Sequence, residues 1–107
     1  MITDFSRETN TLTIKLTQEI DQSMVDKVRR QIDNKINEYI PKYVVFDFEP
    51  ISFMDSSGIG MVIGRYKLIK MLGGNMKIIN VNRNTKRIFD MSGVTRIIDV
   101  EEKNKIA

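Results

Sequence analysis

Between Thr11 and Leu16 apolar and polar residues alternate, which places Leu12, Ile14 and Leu16 on one side of an extended chain. A period of two marks a half-buried strand. Met1 to Phe5 reads as a weaker strand, and Glu8 to Thr11, with Asn10, turns between the two as a hairpin. The period then changes. Val25, Val28, Ile32, Ile36 and Tyr39 recur at helical spacing and predict an amphipathic helix over 24–39, with Ser23 as N-cap, Asp26 completing a variant capping box and Pro41 as the stop. Val44-Val45-Phe46-Asp47-Phe48 is a short run of strand formers directly after a helix, which predicts a central strand buried on both faces. Pro50 to Met54 connects to a second helix with Ile59, Val62, Ile63, Tyr66 and Ile69 inward, ended by Gly73-Gly74. Met76 to Val81 is the next strand. Asn82 or Asn84 caps a short helix through Ile88 and Met91, both Phe89 and Met91 are expected in the core, and Gly93 closes the helix. Ile97 to Val100 is a last short strand, and Glu101 to Ala107 is a frayed turn or a disordered tail.

Strands and helices thus alternate as β-α-β-α-β-α-β behind an extra leading strand. The fold class is α/β, a mixed, mostly parallel sheet with an N-terminal hairpin. At 107 residues, 1–107 is a single domain. The composition has no cysteine and no histidine, which removes disulfides, thiolate and imidazole metal sites, and the Ser-His-Asp triad. The chain reads as a soluble protein without a signal peptide, since the run from Ser56 to Gly64 falls far short of the roughly 20 apolar residues of a spanning helix. Net charge is +3, unevenly placed: residues 1–64 hold seven Lys/Arg against ten Asp/Glu, and residues 65–107 hold ten against four. That polarity can orient an encounter with a partner. Arg83, Lys86 and Arg87 read first as a solvated face and second as a contact to an acidic partner; the seven methionines read mainly as core filler, with an adaptable contact surface as the alternative for Met54 and Met61.

The unusual stretch is Phe53-Met54-Asp55-Ser56-Ser57-Gly58-Ile59-Gly60, where a central strand hands over to a helix. Sites of open α/β sheets sit at that place, and the free N–H groups of a helix start favour a negative group. One polar side chain suffices for an N-cap, yet Asp55, Ser56 and Ser57 stand in a row. Glycines at 58, 60 and 64 point to a close approach of backbone or partner. Several chemistries fail on spacing. Residue 63 is isoleucine, so the dinucleotide glycine pattern is broken; no phosphate-binding loop ending in Lys-Ser/Thr exists; and neither serine has a glycine two before it or a histidine to activate it.

Phe46-Asp47-Phe48, Ser52 through Gly60, Gly64-Arg65-Tyr66-Lys67 and Lys86 through Gly93 together resemble the bacterial anti-sigma factor antagonists of the STAS domain family, and among them those of the sporulation sigma-F system. The resemblance implies a single STAS-type domain with helices packed mainly on one face of the sheet. It implies a cytoplasmic, non-enzymatic module, monomeric when free, needing no cofactor or metal and binding neither nucleic acid nor membrane. Its unphosphorylated form would bind an anti-sigma factor that is also a serine kinase and so release the sigma factor. That kinase, bringing ATP and magnesium, would phosphorylate Ser56, and a serine phosphatase would reverse it. Asp21, Asp55, Ser56, Ser57, Gly58 and Ile59 would meet the partner. Gln18 stands where the family commonly has glycine, so the turn before Asp21 departs from the pattern. Two other readings share the domain: a general-stress sigma branch, and an accessory subunit of a membrane transporter, which would have no use for the serines.

Overall fold

The computed structural model describes residues 1–103. Strands β1 (Ile2–Ser6) and β2 (Thr11–Lys15) form the antiparallel hairpin, and three crossover units follow: α1 (Val25–Tyr39) to β3 (Tyr43–Asp47), α2 (Ser56–Met71) to β4 (Asn75–Val81), and α3 (Arg83–Ser92) with a 3-10 turn (Val94–Arg96) to β5 (Asp99–Glu102). The strands lie in chain order, β1-β2-β3-β4-β5, with every pair after the first parallel. Parallel crossovers are right-handed almost without exception, so three of them moving in one direction put all three helices on the same face.

Side-chain burial follows that layout. Leu12, Val44 and Met76 lie in register across the sheet, as do Ile14, Phe46 and Ile78, and all six point into the core under the helices. Their neighbours Thr13, Val45, Asp47, Lys77 and Ile79 face the other way and are only half-buried. β3 is therefore central but covered on one face, in contrast to the two-sided burial its apolar run predicts. No described helix crosses back to the second side.

Local chemistry explains the other departures. Ser23 does not cap α1: Asp21 accepts from the Ser23 and Met24 amides at 3.0 and 3.1 Å, fixing a turn before the helix, and Met24 holds the N-cap position without a side-chain bond. α1 ends on Ile40 in the left-handed region (φ 44°) ahead of Pro41. On α2 the fully buried residues are Gly58, Met61, Val62, Arg65 and Ile69, whereas Ile59, Ile63 and Tyr66 are half-buried; the inward stripe is turned toward α1, where Asp33 meets Arg65. Asn82, not Asn84, caps α3 by accepting from the Thr85 amide at 2.7 Å. Met91 is 81% exposed although Phe89 is sealed. The 3-10 turn carries the chain past Ile97, so the last strand starts at Asp99 and includes Glu101 and Glu102, and only residues 104–107 of the predicted tail lie outside the described residues. Met54, Met61 and Met76 are core residues, 2%, 4% and 4% exposed, so the first two offer no contact surface, whereas Met71, at the end of α2, is exposed like Met91 and fills no core.

Candidate functional site

The carboxyl ends of β2, β3 and β4 release three loops side by side, and their side chains tie them together. The loop 48–55 is pinned from both flanks. Glu19, after β2, accepts from the Ser52 amide and, at 2.8 Å, from the Ser52 hydroxyl. Asn82, after β4, donates its amide to the carbonyls of Ile51 (3.1 Å) and Ser52 (3.3 Å). Ile51 and Met54 anchor the same loop in the core. Two tethers and two buried residues fix the backbone that leads into α2.

Asp55 is the N-cap of α2, extended at ψ −175° and accepting from the Gly58 amide at 3.1 Å. Its carboxylate is occupied, so the hydroxyls of Ser56 and Ser57 are not needed for the cap. Ser56 is the first helical residue and is exposed; Ser57 and Ile59 are half-buried. The amides of Ser56 and Ser57 have no intrahelical acceptor, and a negative group placed there is favoured by typically 0.3–1 kcal/mol. Gly58 is buried, and a Cβ added to it would lie 1.9 Å from the Met54 sulfur. A side chain at this position would push the buried Met54 thioether aside. Gly60 and Gly64 meet nothing within 4 Å, so the close approach read from all three glycines is internal at Gly58 alone.

Asp21 stands on the neighbouring loop and is exposed. Its carboxyl is held below the ordinary 3.8, chiefly because the Ser23 hydroxyl donates to it at 2.6 Å; this outweighs the upward push of desolvation and is reinforced by the Met24 and Ser23 amides. A depressed carboxyl stabilises the turn at pH above 3.8, and that contribution is lost as pH falls through the lower midpoint of the folded chain. Ser23→Ala is expected to move the Asp21 midpoint upward in an NMR titration of the side-chain carboxyl; an unchanged midpoint would remove Ser23 as the cause. Gln18, at the position of departure from the family pattern, is exposed and its amide lies 3.9 Å from the Met24 sulfur.

Among the described residues no group of three or more acidic side chains gathers to hold a metal, and no helix is long and apolar enough to cross a membrane. The structure brings Asp21, Asp55, Ser56, Ser57 and Ile59 to one end of the sheet. Sequence reasoning missed the Glu19 and Asn82 tethers. Glu19 had no visible partner in the chain, since Ser52 lies 33 residues away.

A one-sided, mostly parallel sheet that offers a serine at a capped helix start, beside an acidic turn, defines a small α/β domain with its candidate site at the carboxyl end of the sheet. The chain belongs to the STAS domain family, whose model matches residues 4–107. It is 39% identical over 89 residues to the anti-sigma F factor antagonist of Paenibacillus polymyxa, covering 83% of this chain and 76% of that protein. Its fold superposes on the anti-sigma factor antagonist SpoIIAA in the unphosphorylated form with a TM-score of 0.74 at 28% identity, covering 92% of this chain and 87% of the other. The phosphorylated form of the Bacillus cell fate determinant SpoIIAA matches with a TM-score of 0.67 at 27% identity, over 92% and 90% of the two chains.

Proposed function

We propose that this protein is an anti-sigma factor antagonist switched by phosphorylation of Ser56. With Ser56 free, it binds an anti-sigma factor that is also a serine kinase and so releases the sigma factor. The kinase brings ATP and magnesium and modifies Ser56; a serine phosphatase restores the active form. The protein is the substrate and supplies no catalysis, and it acts in the cytoplasm as a monomer when free.

The observation that carries this reading is the exposed Ser56 hydroxyl at the start of α2, left unused because Asp55 already caps the helix. Support also comes from the solved relative that exists in both an unphosphorylated and a phosphorylated form. Within the surface the residues divide their work. Asp21, Ser56, Ser57 and Ile59 offer accessible atoms to the partner, while Asp55 and Gly58 shape the turn that displays them.

Incubation with a purified anti-sigma factor of the serine-kinase type and ATP·Mg, followed by mass spectrometry, is expected to place one phosphate on Ser56 and none on Ser56→Ala. ATP·Mg without the kinase is expected to leave the chain unlabelled. Labelling in the absence of a second protein, or on a residue other than Ser56, would overturn the reading.

A further inference from the structure

The loop before α2 buries its large apolar side chains with one exception. Phe48 is sealed, Ile51 and Met54 are each 2% exposed, and Phe53 between them is 57% exposed. A lone exposed apolar side chain is ordinary on a protein surface; this one differs in how it is held. The residue before it is tethered through Ser52 to Glu19 and Asn82, and the residue after it is locked in the core. The ring therefore projects from a fixed backbone three residues ahead of Ser56. Beside it, α3 begins immediately after Asn82, and its first residue, Arg83, is exposed and takes part in none of the ion pairs among the described residues.

An aromatic on an immobilised loop has little freedom left to lose on binding, and aromatic and arginine side chains dominate the energetic centres of protein interfaces. We infer that Phe53 is the anchor of the partner contact. Its ring enters an apolar socket on the anti-sigma factor, a carboxylate at the rim of that socket meets Arg83, and Glu19 and Asn82 are the positioning residues that hold the ring in place. This rests on the reading of the Ser56 loop as the partner surface and adds to it the source of the affinity and the chemistry of the opposing face. Phosphorylation then acts next to the anchor without moving it: a phosphate of about −1.5 to −2 charge would face the same rim carboxylate.

The test titrates a purified anti-sigma factor of the serine-kinase type with five forms of the full chain. Phe53→Ala is expected to weaken binding about 30-fold, the scale of an interface hot spot, with a thermal midpoint close to that of the unaltered protein because the ring is exposed. Phe53→Leu, which refills the socket, is expected to recover most of the loss. Arg83→Ala is expected to slow association at low salt, with the difference fading at high salt. In phosphorylation kinetics Phe53→Ala should raise KM and leave kcat unchanged. Binding by Phe53→Ala within twofold of the unaltered chain overturns the anchor. Ser56→Asp in the same titration separates the two failures: if it alone loses binding, the anchor falls and the switch stands, and if the unaltered chain does not bind, both fall together.

Discussion

Ser56→Asp is expected to bind the anti-sigma partner at least tenfold more weakly than the unaltered protein, and Ser56→Ala is expected to bind normally. Two unit charges 5 Å apart interact by about 3 kcal/mol at an effective dielectric of 20, which is roughly 150-fold in affinity. That figure is for a unit charge such as the aspartate's at close range; water and salt screen a pair at an exposed position, hence the lower bound of ten. Inside the domain the same charge is tolerated, because Ser56 is exposed at the N-terminus of α2, where the helix favours an anion. The thermal midpoint of Ser56→Asp should therefore stay within a few degrees of the unaltered chain while its binding isotherm collapses. Equal affinity of the alanine and aspartate variants would take the switch out of this loop.

The second large effect is on stability. Arg65 of α2 is buried against Asp33 of α1, Nε to Oδ1 at 2.7 Å, with the two side chains 9% and 23% exposed. Burial pulls the guanidinium below its ordinary value, Asp33 opposes this, and the nearby Arg29 adds to it. Nε and Oδ1, though close, are not aligned as a hydrogen bond, so the pair is held by charge, and Nη1 is buried without a hydrogen-bond partner among the described residues. Asp33→Ala leaves that cation uncompensated between two helices and is expected to cost about 2–4 kcal/mol, somewhat below the 3–5 typical of a fully buried pair because Asp33 keeps some contact with water. For a chain of this size that lowers the thermal midpoint by roughly 10 °C or more. Arg65→Met, which removes the charge and keeps the packing volume, should come close to neutral, and Asp33→Ala combined with Arg65→Met should regain most of the loss. A double variant as unstable as Asp33→Ala alone would show that the pair is not the cause.

Arg65 also marks the limit of what periodicity reveals. The helical pattern of α2 correctly places Val62 and Ile69 in the core, and the alternation of Leu12, Ile14 and Leu16 correctly orients β2, because burial of aliphatic side chains is a local signal that repeats. A buried arginine breaks the pattern, since its place depends on an acid 32 positions earlier on another helix. The same holds for the site. Asp55, Ser56 and Ser57 are contiguous and could be read together, whereas the Glu19 and Asn82 tethers join residues that meet only once three strands have paired. Asp21 was legible as an acid near the end of β2, but its bonds to Ser23 and Met24 displaced the expected Ser23 cap. The bare face of the sheet was hidden for another reason: Val44 to Phe48 looks the same whether helices lie on one side or two, and only the order of the strands decides between them.

That order leaves β5 at one margin of the sheet, where no strand among the described residues pairs with its outer row of backbone donors and acceptors, a row that invites another strand to add itself. The sequence there is Asp99-Val100-Glu101-Glu102, three carboxylates in four residues. Two molecules meeting along this margin would set like charges against each other, so the sheet resists growing from copy to copy into a fibre at this border.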